Sequence, residues 1–185
     1  MININNSEDR EILWSDASDP EMEHAYQKAR ETFKFFWREL FWEYRRIVPS
    51  FDLALVKLPF SDEKISQNEN KNPSVEHMWI NNINFDGESI EGILINEPQQ
   101  IQSVKQGDVI KALFNKISDW MYSMHSQVYG AFTINLLRSR MNKKERESHD
   151  DAWGLKFADP YQEKITPYFE QDKPIDATIE HPMSE

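Results

Sequence analysis

The sequence predicts an α+β fold in which one long amphipathic helix packs against a small antiparallel sheet. Apolar side chains recur at alternating spacings of four and three from residue 22 to residue 44, which marks one stripe along a helix. Short β-like runs separated by turn residues follow as far as residue 114, and a second helical pattern begins near residue 131. Helix, then strands, then helix is the order of an α+β fold rather than of alternating βαβ units.

Length and composition are typical of a single domain with appendages. We expect an acidic lead-in over residues 1–18, one α+β domain over 19–152 and an acidic, proline-rich tail over 153–185. The chain contains no cysteine, which excludes disulfides, thiol nucleophiles and thiolate metal sites. Its start lacks the basic and apolar regions of a signal peptide, and no apolar run approaches the roughly 20 residues that span a bilayer. We therefore expect a cytoplasmic protein without a membrane partner.

The net charge of −11 is concentrated at the two ends of the chain. Residues 1–24 carry −6 and residues 145–185 carry −7, whereas residues 25–144 carry +2. Acidic ends disfavour nucleic-acid binding, and they favour either solubility or a basic partner.

The first helix begins at residues 18–21, where two start signals overlap. Either Asp19 is the cap with Pro20 in the first turn, or Ser18 is the cap and a glutamate three residues later reaches back to it. The helix is predicted to run to about Arg46. The dense aromatic residues of its second half suit core packing, and an exposed docking surface is the alternative.

Strand signals follow this helix. Residues 51–60 are apolar on both alternating faces, which predicts a strand covered on both sides. Residues 61–74 are polar and are expected to form an exposed loop, and residues 75–85 alternate as a half-buried strand with odd-numbered positions inward. Further strands are expected over residues 90–96 and 109–114, with turns at Asp86-Gly87 and Gly107-Asp108.

The signals become helical again after the strands. Ser118 and Asp119 are predicted to cap a single helical turn that carries Trp120, and residues 122–129 to add one short strand. Helices are expected from Ala131 to Met141 and, after an Asn142 cap, from Lys143 to Asp151. We expect a bent antiparallel sheet or an SH3-like barrel of about five strands, closed by a C-terminal helix.

The candidate binding residues are His77, Trp79, Asp119, Trp120 and Tyr122, at the expected mouth of the sheet. A histidine can serve as a general base or a metal ligand, and a Ser-Asp pair beside an indole can contact a ligand. The alternatives are a histidine with satisfied hydrogen bonds at the edge of the core, and a capped turn whose Trp120 fills the core. No residue is assigned a catalytic role.

No familiar catalytic or cofactor motif occurs in the sequence. It lacks G-x-S-x-G, G-x-G-x-x-G and the P-loop pattern, and its histidines lie in unrelated segments without H-E-x-x-H spacing. We therefore expect no cofactor and no metal site. The basic run from Arg138 to Arg146 is followed closely by acids such as Asp150, and it is interpreted as a salt-bridged, solvated surface.

Several short motifs in order resemble the bacterial family known as domain of unknown function 2314, which includes YegJ-like proteins. They are E-H-M-W, F-D-G, G-I-L-I-N-E-P, G-D, I-S-D-W-M-Y and G-x-x-T between residues 76 and 133, with D-P-E-M-x-x-A-x-x-x-A-R at residues 19–30. The resemblance covers roughly residues 19–141. It implies no particular activity; the family is similar in pattern to small domains found as immunity or toxin-neighbouring proteins.

These observations favour a non-enzymatic binding protein, and in the sharper form an immunity-type protein that neutralises a cognate toxin by direct binding. The expected partner is another protein, with a basic toxin as the candidate that the acidic ends favour. The alternative is an enzyme whose site lies at the sheet mouth around His77 and Asp119. A nucleic-acid-binding barrel ranks lowest, because the body of the chain carries only +2.

Overall fold

The structure, a computed structural model, describes residues 19–62 and 75–167. The expectations for the acidic lead-in (1–18), for most of the polar loop (63–74) and for the end of the tail (168–185) lie outside these described residues. In chain order the elements are α1 (Pro20–Glu43), β1 (Phe51–Ser61), β2 (Val75–Phe85), β3 (Ser89–Leu94), β4 (Val109–Leu113), β5 (Asp119–Met124), β6 (Gln127–Gly130), α2 (Phe132–Arg140) and α3 (Lys143–Trp153).

The strands form one antiparallel sheet in the order β4-β3-β2-β1-β5-β6. Strand β1 lies inside the sheet between β2 and β5, with Val56 opposite both Ile80 and Trp120. Strands β4 and β6 are the two edges, so the sheet does not close on itself. The α+β prediction is confirmed, with an open sheet of six strands in place of the SH3-like barrel.

Helix α1 begins as the first of the two start signals predicts. The Asp19 carboxylate accepts hydrogen bonds from the backbone N–H groups of Glu21 and Met22 at 3.0 and 3.3 Å, and Pro20 occupies the first turn. The helix ends at Glu43, three residues before the predicted Arg46. The Glu43 carboxylate then accepts hydrogen bonds from the Ser50 and Phe51 N–H groups at 2.7 and 3.0 Å, which fixes the entry into β1.

The apolar stripe of α1 packs on one face of the sheet and forms the main core. Phe33 and Phe36 are fully buried there, and the Trp120 indole N–H donates to the Ala29 carbonyl oxygen at 2.9 Å. The Tyr122 ring lies among other aromatic rings, with a stacked contact to Phe51 at a centroid distance of 4.6 Å. The core-packing interpretation of the α1 aromatics therefore holds for the first part of the aromatic run.

The opposite face of the sheet is covered by a second apolar cluster. Its members come from strands β1, β2, β5 and β6, from the first turn of α2 and from the segment that follows α3: Leu55, Trp79, Met121, Val128, Ala131, Ile134 and Leu155. Because both faces are covered at β1, that strand is apolar on both alternating sides, as predicted.

The prediction that only the odd-numbered residues of β2 face the core is wrong. The even-numbered Met78 and Ile80 are fully buried in the main core, while Trp79 faces the second cluster. A register shift between Asn81 and Asn84 then turns the strand, with Asn82 at φ 51°, and brings Ile83 into the main core. Side chains of β2 are therefore buried on both faces of the sheet, and the bulge interrupts the alternation of inward and outward positions.

The predicted helical turn at Ser118-Asp119 is also wrong, because Asp119 begins strand β5. A single 3-10 turn occurs earlier, over Phe114–Lys116. The single strand expected over residues 122–129 is instead a hairpin whose two turn residues, His125 and Ser126, have φ angles of 52° and 64°. Positive φ at both positions is the signature of a type I′ turn, which normally carries Asn or Gly.

The C-terminal helices follow the prediction closely. Asn142 and Glu145 form a reciprocal capping box at the start of α3, which extends two residues beyond the expected Asp151. The chain then runs beside β6, where the Lys156 carbonyl oxygen accepts from the Val128 N–H at 3.1 Å. One edge of the sheet is therefore covered by the chain itself.

Gly130 offers a test of the close contact between β6 and Trp120 of the neighbouring strand β5. It has φ +74°, and an added Cβ would lie 2.4 Å from the Trp120 carbonyl oxygen. We expect Gly130→Ala to lower the free energy of unfolding by about 3 kcal/mol or more, because strain and overpacking add. The control is Gly107→Ala, which has φ +92° but open space around the new methyl group, and should cost roughly 1 kcal/mol. Equal shifts of the urea midpoint in the two variants would contradict this assignment.

Candidate functional site

The carboxylate of Asp119 is fully buried at the start of β5 and faces the first turn of α2. Its Oδ1 accepts hydrogen bonds from the Trp120 and Phe132 N–H groups at 2.8 and 3.1 Å. Its Oδ2 accepts from the Thr133 N–H at 2.8 Å and from the Thr133 hydroxyl at 2.5 Å. The residue before α2, Ala131, has a left-handed conformation and offers no side-chain cap. Asp119 therefore caps α2 from a different element of the chain, where a negative charge suits the helix dipole.

Lys57 lies beside this carboxylate in the middle of the sheet. It is the register partner of Asp119 on β5 and of Trp79 on β2. Its Nζ donates to the Thr133 Oγ1 at 2.9 Å and lies 4.6 Å from the centre of the Trp79 ring. Lys57, Thr133 and Asp119 thus form one connected polar network.

Burial shifts the pKa values of the two charged groups of this network in opposite directions. Burial lowers the pKa of Lys57, and the Asp119 charge opposes that shift. Burial raises the pKa of Asp119, and the Lys57 charge and the Thr133 hydrogen bonds oppose it. Each group therefore lowers the free-energy cost of burying the charged form of the other. Removal of either one leaves an uncompensated buried charge.

His77 sits two positions before Trp79 on β2 and contacts α1. Its Nδ1 lies 2.8 Å from the Ser118 Oγ, and its Nε2 lies 3.4 Å from the Tyr26 hydroxyl, whose ring stacks on the imidazole. Burial, aided by the positive charge of Lys57, lowers the pKa of His77 to about 4, so the imidazole is neutral near pH 7. A neutral imidazole in contact with a serine hydroxyl has the geometry of a base and its nucleophile. Ser118 is only 3% exposed, however, so the contact is enclosed.

Glu76 serves a different segment of the chain. Its fully buried carboxylate accepts hydrogen bonds from the backbone N–H groups of Gln99 and Gln100 at 3.0 and 2.8 Å, with a longer contact to that of Ile101 at 3.4 Å. These bonds fasten the segment after β3 to strand β2. Glu76 is therefore a structural anchor rather than a free carboxylate.

The five candidate residues from the sequence divide between the two faces of the sheet. Trp120 and Tyr122 are fully buried in the main core, so Trp120 fills the core as the alternative interpretation held. Asp119 and Trp79 lie with Lys57 in the buried network, and His77 adjoins it through the Lys57 charge. The structure brings three of the five together and places the other two elsewhere.

Sequence reasoning missed Lys57, Thr133 and Arg138. The single lysine inside the apolar run of residues 51–60 was the available signal for a buried charge. The expected salt bridging is present, but Arg138 is buried rather than solvated: its Nε and Nη2 donate to the two carboxylate oxygens of the partly exposed Asp150 at 2.8 and 2.7 Å. Its guanidinium also stacks over the Phe157 ring, which joins α2, α3 and the following segment.

Over residues 19–62 and 75–167, no three His, Asp or Glu side chains are grouped closely enough to hold a metal ion. None of the helices within these ranges has the length and apolar character required to cross a membrane.

Comparison with known proteins identifies relatives in bacteria. The family model described as "Uncharacterized protein conserved in bacteria (DUF2314)" matches residues 19–157. The chain is 43% identical over 175 residues to the Neisseria meningitidis serogroup B protein named "Putative ankyrin repeat protein", covering 95% of this chain and 66% of that protein. It is 28% identical over 96 residues to "Uncharacterized protein YegJ" of Escherichia coli, covering 52% of this chain and 57% of that protein. No solved structure matches at a significant level.

The buried network predicts a large cost for removing one charge. Asp119→Asn should lower the free energy of unfolding by about 3–5 kcal/mol, because Lys57 loses its counter-charge and the amide NH2 that replaces one carboxylate oxygen cannot accept hydrogen bonds from α2. The double variant with Lys57→Met should lose less than the sum of the two single variants, by about 0.5–3 kcal/mol. Urea unfolding of all four proteins measures this coupling, and strict additivity would refute a shared network.

His77 predicts a specific pH dependence of stability. Its pKa is about 4 in the folded protein and about 6.5 when unfolded, so the unfolded chain binds the proton first as the pH falls. The stability associated with neutral His77 is complete above pH 6.5 and is lost between pH 6.5 and 4, by up to about 3 kcal/mol. The difference in unfolding free energy between wild type and His77→Gln should therefore shrink across this range. His24→Gln, at an exposed position of α1, is the control; a pH-independent difference for His77→Gln would contradict the prediction.

Proposed function

This chain belongs to the bacterial family described as domain of unknown function 2314, and from that premise we propose that it is a non-enzymatic protein that works by binding another protein. In its sharper form the proposal is an immunity-type protein that neutralises a cognate toxin by direct contact in the cytoplasm. The chain spans about two thirds of the Neisseria relative and 57% of the Escherichia coli one, so the proposal concerns the shared domain.

The observation that carries the proposal is an exposed apolar surface where α1 ends. Three aromatic and two aliphatic side chains are 42–99% exposed within eight residues: Phe41, Trp42, Tyr44, Ile47 and Val48. We call this group the aromatic end of α1. Single exposed apolar residues are normal, but five large ones within eight residues of the chain favour an interaction surface. Trp and Tyr are also the residues most often found as binding hot spots.

Hydrogen bonds and ion pairs with neighbouring residues hold the aromatic end of α1 in place. The Tyr44 hydroxyl donates to the Ile83 carbonyl oxygen at 2.6 Å, and the Arg45 guanidinium lies 4.4 Å from the centre of the Phe41 ring. The Glu43 carboxylate braces the following turn through Ser50 and pairs with Arg46 at 3.0 Å. A surface ordered before binding loses less conformational entropy when a partner docks.

Charge and a relative's name supply the rest of the support. By sequence, residues 1–18 carry −3 and residues 168–185 carry −4, which suits a basic partner such as a toxin. The Neisseria protein is named for ankyrin repeats, and about a third of it lies outside the match. Ankyrin arrays form extended binding surfaces, so the name associates this family with protein interaction.

An enzyme remains the second candidate, because the Ser118 Oγ lies 2.8 Å from the His77 Nδ1. Against it, the Asp119 and Glu76 carboxylates are both committed to hydrogen bonds with the backbone. A broad screen for hydrolase activity tests this candidate, with Ser118→Ala and His77→Gln as variants. Activity that both variants abolish, while their circular dichroism spectra show that the native fold is kept, would favour the enzyme.

The binding proposal is tested by co-expression with the products of adjacent reading frames. We expect one neighbouring product to co-purify with the full chain and to lose its toxicity to the host when the chain is present. If no neighbour binds and no toxicity is relieved, the proposal fails.

Trp42 is the residue expected to matter most in that complex. Trp42→Ala should weaken partner binding at least tenfold, as truncation of a central aromatic anchor does, because the side chain is 57% exposed and available to a partner. The urea midpoint should hardly change. Tyr161→Ala is the matched control, since Tyr161 is another exposed aromatic residue, 77% exposed, in a different part of the chain. Equal affinities for wild type and Trp42→Ala, measured by calorimetry, would remove the aromatic end from the interface.

A further inference from the structure

The two edges of the sheet are treated differently by the chain. At the β6 edge, the carbonyl oxygens of Lys156 and Lys164 accept hydrogen bonds from the Val128 and Gly130 N–H groups at 3.1 and 2.7 Å. The β4 edge has no such cover within the part of the chain that the structure describes. An uncovered edge exposes a row of backbone donors and acceptors that can pair with another strand.

The hydrogen bonds at the two ends of β4 show which of its backbone groups face β3 and which point away from it. The Leu94 N–H donates to the Asp108 carbonyl oxygen and the Phe114 N–H donates to the Glu88 carbonyl oxygen, both at 2.9 Å. In an antiparallel pair the groups that face the neighbour alternate along the strand, so even-numbered residues of β4 bond to β3. The N–H and C=O groups of the odd-numbered residues therefore point away from the sheet. Those residues are Val109, Lys111 and Leu113.

The side chains of the same three residues are exposed. Val109 is 68% and Leu113 is 48% exposed, so two apolar groups flank the lysine on one face of the edge. The Lys111 ammonium lies 3.5 Å from a carboxylate oxygen of Asp86, and both side chains are more than half exposed. Lys111 is also the register partner of Glu91 on β3. The edge thus offers an apolar–basic–apolar row together with backbone groups that point away from β3.

A second copy of the chain fits this edge poorly. The antiparallel register that pairs all five residues of two β4 strands would place Lys111 opposite the Lys111 of the other copy. Like charges directly opposite each other on adjacent strands are destabilising. A lysine in this position is a common device by which proteins prevent self-pairing of an edge strand.

We propose that the β4 edge binds an extended segment of a partner protein as a seventh strand, with an acidic residue opposite Lys111 and apolar residues two positions to either side. The outward N–H and C=O groups would supply main-chain hydrogen bonds, and Val109 and Leu113 would pack against the apolar residues. The ammonium of Lys111 has three N–H donors, so it can contact a partner carboxylate as well as Asp86. The acidic residue would continue the alternation of charge from Glu91 to Lys111 across the strands.

Selection of displayed random twelve-residue peptides on the full chain tests the proposal without the natural partner. Enriched peptides should share an acidic residue flanked at both second neighbours by apolar residues. Fluorescence polarisation should show at least tenfold weaker binding to Lys111→Glu. Binding should also be lost with Lys111→Pro, which removes an outward N–H without breaking a bond to β3. Peptides methylated on the backbone nitrogens of the acidic residue and of its two second neighbours should not bind, because these N–H groups face β4, whereas methylation of the intervening nitrogens should be tolerated.

Lys144→Glu is the matched control, because it makes the same change of charge at an exposed position of α3 and should leave the affinity unchanged. The urea midpoint of each variant establishes that the fold is kept. Enriched peptides without the acidic pattern, or affinities that neither Lys111 variant nor methylation changes, would overturn the proposal. A dimer in sedimentation that Lys111→Pro converts to a monomer would assign the edge to a second copy and overturn it as well. None of these results depends on the aromatic end of α1.

Discussion

The hydrogen bonds of the Asp119 carboxylate join three elements that lie far apart in the chain. They fasten the start of β5 to the first turn of α2, and through Thr133 they reach Lys57 in the interior strand β1. The position of α2 determines which apolar groups cover the second face of the sheet, because Ala131 and Ile134 belong to that cluster. A buried carboxylate without these donors would be very costly, so the donors and the carboxylate fix each other's positions.

The same logic applies to the other buried charges. Glu76 fastens the segment after β3, Arg138 joins α2 to α3, and Glu43 braces the entry into β1. In the sequence each of these charged residues is a candidate for a catalytic or binding role. In the structure each one forms hydrogen bonds with other groups of the protein. Apolar side chains on the aromatic end of α1 and the odd-numbered apolar residues of β4 are exposed instead.

Local signals could be interpreted correctly from the sequence, whereas signals that act across the fold could not. Asp19 and Asn142 cap the helices that follow them directly, so both starts were predictable. Asp119 is also a cap, but its helix begins thirteen residues later, so a local interpretation placed a helical turn where a strand lies. The hairpin at His125-Ser126 carries none of the Asn, Asp or Gly residues that usually form a type I′ turn. At the bulge, Asn82 is a residue type that tolerates positive φ, but a lone Asn within a strand pattern is too weak a signal to place a bulge. Because apolar clusters cover both faces of the sheet, the burial of Lys57 and the burial pattern of β2 also could not be predicted from simple alternation.

The position of β1 has a consequence for how the chain is made. This strand is apolar on both sides and lies inside the sheet, but its neighbour β5 follows more than fifty residues later. During synthesis β1 can pair with β2 long before β5 has left the ribosome, so one of its edges stays open while translation continues. Pairings between distant segments form slowly, and apolar strands with open edges tend to associate with other chains in the meantime. The growing chain is therefore most exposed to misassociation after residue 85 has left the ribosome and before residue 124 has done so, and help from chaperones would be most effective in that interval.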